Sequence, residues 1–141
     1  MKIKIAMLSA ALLMSSNAMA AAAQYVTVDH SPGFPLDAAV VKALWAGDAS
    51  AKVLKLYPPK LWGFLTEIDG GFDKENTCVL TTRVTMLPLN VTRKTLIYKP
   101  KKTMSTFGIL PKATKEQCVE LATSKLKESI HAMMAILATD P

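Results

Sequence analysis

Beyond its first twenty residues this 141-residue sequence has no apolar run approaching the ~20 residues that a membrane-spanning helix needs, so the bulk of the chain is expected to be soluble. Cysteine is scarce: Cys78 and Cys118 are the only two, too few for a thiolate metal cluster or a dense disulfide framework. Histidine is as sparse, and His30 and His131 show no ligand spacing with each other or with the thiols, so neither a metal nor a cofactor is expected. No Gly-x-Ser-x-Gly elbow and no phosphate-cradling glycine motif occurs, which removes two common enzyme signatures. Internal repeats are absent, which excludes solenoids. Acidic residues are missing from Thr77 all the way to Lys112.

What is present begins with a leader. Lys2 and Lys4 precede an apolar run from Ile5 to Met14, and Asn17-Ala18-Met19-Ala20 supplies the small-x-small pattern that a signal peptidase accepts. Residues 1–20 are therefore expected to be a cleaved Sec-type signal peptide, and residues 21–141 a single globular domain in the periplasm or secreted. An uncleaved anchor is the alternative, because no charge falls between Lys4 and Asp29. Its strongly apolar part spans only about ten residues, half of what a spanning helix requires. No cysteine stands at the cleavage position to take a lipid. About 120 residues then remain, enough for one modest core and no second domain.

In an oxidising compartment an even pair of cysteines reads as a disulfide. Local patterns support that pairing. From Thr77 to Leu87 the chain alternates as a strand, with Cys78, Leu80, Val84 and Met86 on one face and Thr81, Arg83 and Thr85 on the other. Thr114 and Gln117 form a capping box, and Cys118, Val119, Ala122, Leu126, Ile130, Met133 and Leu137 then make one helical stripe opposite Glu120, Ser124, Lys127 and His131. Both cysteines thus lie on faces that must pack together. A redox dithiol is the competing reading, and forty residues of separation argue against it.

The rest of the chain reads as two short helices and a sheet. Tyr25, Val26 and Val28 suit an edge strand. Asp37 is placed to cap a helix over 38–46 closed by Gly47, and a second helix is expected from Asp48 until Pro58 stops it. Lys60 to Ile68 fits helix and strand alike and leans to strand because of its short length and the expected Asp69-Gly70-Gly71 turn. Pro88-Leu89-Asn90 and Pro100-Lys101-Lys102 mark turns around strands at Arg93 to Lys99 and Thr103 to Leu110. The expected architecture is α+β: a small antiparallel β-meander of three or four strands, covered on one face by a long C-terminal helix and shorter N-terminal helices.

Charge is segregated along this layout. The precursor carries +6. Thr77 to Lys112 holds seven bases and no acid, whereas Ala21 to Asn76 has five bases against seven acids. Such a surface attracts anionic partners over about 10 Å. Arg83, Arg93, Lys94, Lys99, Lys101 and Lys102 are the candidate contacts, although lysines at strand edges and hairpin tips also guard against aggregation.

Enzymatic readings lack parts. Glu67 and Asp69 would share one strand face, as a pair acting on a glycan might require, yet they border strong turn chemistry, and His30 lies in a Pro/Gly-rich lead. Asp69, Asp73 and Glu75 lack the order of a calcium loop, and Met104, Met133 and Met134 read as strand and core residues. The sequence therefore points to a small exported, non-enzymatic binding or inhibitor-like protein whose partner is another envelope or secreted protein. An envelope accessory factor touching anionic lipid or cell wall is the first alternative, and a small hydrolase using Glu67, Asp69 or His30 the second. Nucleic acid is not an expected partner outside the cytoplasm.

Overall fold

The computed structural model describes residues 24–141 apart from Pro32 and Pro35. The expected signal peptide therefore lies outside the described residues. Eight elements follow in order: β1 (Val26–Asp29), α1 (Ala38–Leu44), α2 (Ala51–Leu56), β2 (Trp62–Phe72), β3 (Cys78–Asn90), β4 (Thr95–Leu96), β5 (Lys102–Leu110) and α3 (Lys115–Thr139). The fold is α+β, a mixed and mostly antiparallel sheet with a long C-terminal helix and two short ones.

The sheet runs β1-β2-β3-β5, with β1 parallel to β2 and the other pairings antiparallel. β4 pairs only with Leu89 and Asn90 at the end of β3. Alternation along the strands sorts side chains onto two faces. On the inner face Phe64, Ile68, Cys78, Leu80, Val84 and Met86 are buried beneath α3 and the short helices. Trp45, which follows α1, stacks on Phe64 with ring centroids 4.5 Å apart, and Tyr25 meets the same ring edge-on at 4.9 Å.

The capping box starts α3 as its sequence requires: the Gln117 N–H donates to Thr114 Oγ1 at 3.2 Å, and the Thr114 N–H donates to Gln117 Oε1 at 2.8 Å. Cys118, Ala122, Leu126, Ile130, Met133 and Leu137 are buried, each large apolar side chain contributing roughly 1.5–3 kcal/mol. Gly108 lets the helix approach β5. A Cβ there would stand 3.2 Å from Leu121 and from the Lys125 stem. Where the stripe is interrupted by Ser129 and the inner face of the sheet by Thr82 and Thr106, the three hydroxyl oxygens lie 2.8–2.9 Å from one another, and the Ser129 hydroxyl donates within this set. Both threonines also donate to the Lys125 carbonyl, so no buried hydroxyl in this knot is left unpaired. Cys78, the first residue of β3, is disulfide-bonded to Cys118 in the first turn of α3.

Several boundaries differ from the sequence reading, each for a local reason. Helix α1 begins at the Asp37 cap, where the carboxylate accepts the Ala39 N–H at 2.7 Å, and ends at Leu44. Helix α2 is capped by Ser50 rather than starting from Asp48. The Asp69-Gly70-Gly71 turn does not form. Strand β2 runs through it to Phe72, because Gly70 takes φ +133° where a Cβ would lie 2.1 Å from the Val79 carbonyl oxygen. The chain turns instead at Asp73, whose carboxylate accepts the N–H groups of Glu75 and Thr77 at 2.8 Å. Likewise β3 continues through Pro88 to Asn90, and the Pro88 carbonyl accepts the Ile97 N–H at 2.8 Å. The expected strand from Arg93 to Lys99 shrinks to two residues. Asn90 captures the Thr92 and Arg93 N–H groups and Lys94 adopts φ 51°, so extended pairing begins only at Thr95. Strand β5 consequently pairs directly with β3.

The C-terminus is tied back to the sheet by Asp140, which accepts from both Lys102 Nζ and the Tyr57 hydroxyl. The Lys102 hydrogen bond, followed by that from Tyr57, holds the Asp140 carboxyl below the usual carboxylate range. The same carboxylate raises the Tyr57 phenol.

Two outcomes follow from these ties. Replacing both cysteines by alanine removes a covalent closure worth about 4 kcal/mol for a loop of this length, and lowers Tm by more than about ten degrees in calorimetry. A depressed folded-state pKa makes the Asp140 contribution complete above the unfolded carboxylate value and lost as pH falls through the folded one. Asp140→Asn should therefore lower Tm at neutral pH, with wild type and variant converging on acidification in a Tm series against pH.

Candidate functional site

The three helices occupy one side of the sheet, so the opposite side is where side chains remain available. Near β4 that outer face is closed. Leu87 and Leu89 are buried there, and Leu96 lies across β2, where a Cβ on Gly63 would stand 2.6 Å from Leu96 Cδ2. Toward the other end it opens. Phe107 and Ile109, alternate residues of the edge strand β5, are 56% and 53% exposed beside Val79 of β3. Thr103 and Ser105 continue the same face and are also exposed.

Arg83 sits on this outer face opposite Glu67, its Nη1 3.4 Å from Glu67 Oε2. His30 Nδ1 approaches Glu67 Oε1 to 3.9 Å, carried there by the short parallel strand and a bond from the His30 N–H to the Thr66 carbonyl. Asp69 is two residues along on the same face. The residues considered for acid–base chemistry are thus not dispersed. They lie on the exposed sheet surface, and neither of the two grooves described below is lined by His30, Glu67 or Asp69. Ion pairs this exposed contribute well under about 1 kcal/mol each.

The six basic candidates separate into three settings. Arg83 belongs to the outer face. Lys102 is committed to Asp140 on the edge strand. Arg93, Lys94, Lys99 and Lys101 all fall in the excursion over residues 91–101, and all four are exposed. That excursion is pinned at both ends. Asn90 Oδ1 accepts from the Thr92 N–H at 3.1 Å and the Arg93 N–H at 2.9 Å, and the Lys101 N–H donates to the Met86 carbonyl at 2.9 Å. Among its exposed residues are Val91 at 61%, Ile97 at 48% and Tyr98 at 77%.

A groove of about 590 Å³ lies elsewhere, between β1 and α1, with Tyr25, Val41, Lys42 and Trp45 in its walls. Burial pushes the Tyr25 phenol up to about 12, and its hydroxyl donates to the Tyr57 carbonyl at 2.6 Å. The Trp45 indole N–H is buried without a partner among the described residues. A second, shallower groove is lined by Lys115, Glu116, Val119 and Glu120 of α3.

Sequence reasoning missed the apolar residues of the outer face. The signal was present: Phe107 and Ile109 alternate with Thr106 and Gly108, and period-two alternation places them opposite the helix. What the pattern cannot supply is which face of the strand the helix takes.

No family model matches this chain, and no curated protein matches it by sequence. Among solved structures it is similar to a proposed lipoprotein from Caulobacter crescentus CB15, at 13% identity over 80% of this chain and 86% of that one, with a TM-score of 0.40. A likeness at that level assigns neither a family nor an activity.

Proposed function

We propose that this chain is a small exported, non-enzymatic protein that binds another envelope or secreted protein through the outer face of its sheet. The observation that carries the reading is the exposure of Phe107 and Ile109, adjacent on one face of β5 and uncovered by any helix among the described residues. Paired aromatic and branched aliphatic side chains on a rigid sheet suit the core of a protein interface, with Arg83 and Glu67 as a polar margin. The disulfide supports an oxidising compartment, in agreement with the leader pattern in the sequence. His30 and Glu67 lie on an open surface rather than in a water-excluding cleft, which supports binding over catalysis.

The test is chemical cross-linking in the intact envelope followed by mass spectrometry, comparing wild type with Phe107→Lys/Ile109→Lys. Both positions are solvent-facing, so the stability of the double variant should change by less than about 1 kcal/mol. A specific cross-linked partner should persist at high salt for wild type and disappear for the double variant. A partner retained by the variant would sink the reading.

A further inference from the structure

We infer that the excursion over residues 91–101 is a second, separate contact site, and that its ligand is the surface of an anionic phospholipid bilayer. This goes beyond the protein-binding reading, uses a different surface and does not depend on it.

Four observations converge. Arg93, Lys94, Lys99 and Lys101 are exposed, and among the described residues none of them makes an ion pair. No acid lies in the sequence from Thr77 to Lys112, and the acid that Lys101 does feel from elsewhere in the fold, Asp140, is already bonded to Lys102. Interleaved with these cations, Val91, Ile97 and Tyr98 point apolar surface at solvent, and Tyr98 is the most exposed large hydrophobic residue described. Finally, neither of the two grooves described above includes a residue of this excursion, whose side chains lie on open surface.

Basic side chains alternating with tyrosine and aliphatics match the layered chemistry of a bilayer surface. Phosphates meet the cations in the headgroup region while the aromatic ring and short aliphatics settle just beneath. The cores of protein interfaces, by contrast, are depleted in lysine. The Asn90 turn and the Lys101 bond to Met86 already hold the backbone, so docking orders little additional chain. Each cation near an anionic surface contributes about fivefold in partitioning, and salt screens the effect within a Debye length. Four of them with one inserted ring give reversible, salt-sensitive attachment.

The experiment uses protein recovered from its own envelope, with its N-terminus read by mass spectrometry, and vesicles of phosphatidylcholine alone or mixed equally with phosphatidylglycerol. Wild type should sediment with the mixed vesicles only and be released by salt. Lys99→Glu/Lys101→Glu should lower partitioning at least about thirtyfold. Tyr98→Ser should weaken it while leaving the salt dependence unchanged. Tyr98→Trp should show a blue shift, in difference emission against wild type, on mixed vesicles alone. Phe107→Lys/Ile109→Lys should bind vesicles like wild type, which separates this site from the sheet face. All these positions are exposed, and an unchanged Tm confirms folding. Absence of vesicle binding, binding without a shift at position 98, or binding that survives the lysine reversals would overturn the inference. So would cross-links from Lys99 or Lys101 to a protein when vesicles are not bound, because the excursion would then be a protein contact.

Discussion

The bond between Cys78 and Cys118 joins the first residue of the longest described strand to the first turn of the longest described helix, and fixes where that helix starts over the sheet. With its start fixed over β3, α3 runs along β3 and β5, and its buried stripe closes the inner face of the sheet. The opposite end is held by Asp140 against Lys102 and Tyr57. Between these two ties the close approach at Gly108 and the hydroxyl knot of Thr82, Thr106 and Ser129 set the depth and rotation of the helix. A helix whose Ser129 hydroxyl and Lys125 carbonyl are matched to two sheet threonines has one register, since any slip would leave buried hydroxyls unpaired.

Covering one face commits the other to solvent. Antiparallel sheets tolerate this when the open side is polar, and here Thr81, Thr103, Ser105, Glu67 and Arg83 meet that expectation. Phe107 and Ile109 do not. Their exposure on an edge strand free of proline and acid is a liability unless something covers them, which is why they carry the functional reading. The basic excursion is a distinct device. Its charges are exposed where Asn90 turns the chain at the end of β3, before it pairs briefly as β4 and returns as β5. On the proposed readings, the basic tip would meet a bilayer while the separate apolar face is left for a partner.

Elements with strong local signals were legible in the sequence. The Thr114 capping box, the stripe of α3, the Asp37 cap and the alternation of β3 each depend on contacts within a few residues, and each is found where the pattern puts it, except that Val119 falls at the rim of a surface groove while Ser129 and Met134 join the buried side. The disulfide was legible for a related reason, since two inward faces that must pack bring two inward cysteines together. Readings that relied on turn composition fared worse. Two glycines after Asp69 look like a turn, yet they serve the close backbone contact with Val79, and the turn goes to Asp73 because its carboxylate can satisfy two N–H groups at once. Pro88 likewise resembles a strand end and lies within a strand.

By itself the sequence determined the α+β class, the long terminal helix, the pairing of the two thiols and the concentration of positive charge between Thr77 and Lys112, because periodicity, capping and composition are properties of short stretches. Tertiary structure alone decided which of those charges act together. Distant Asp140 takes Lys102 out of the group and Glu67 on a neighbouring strand takes Arg83; of the five that remain, Arg93, Lys94, Lys99 and Lys101 fall in the excursion that leaves β3 at Asn90, and Lys112 lies beyond β5. It alone decided that Phe107 and Ile109 are exposed among the described residues. Strand alternation specifies two faces, and only the packing of α3 selects the one that is buried.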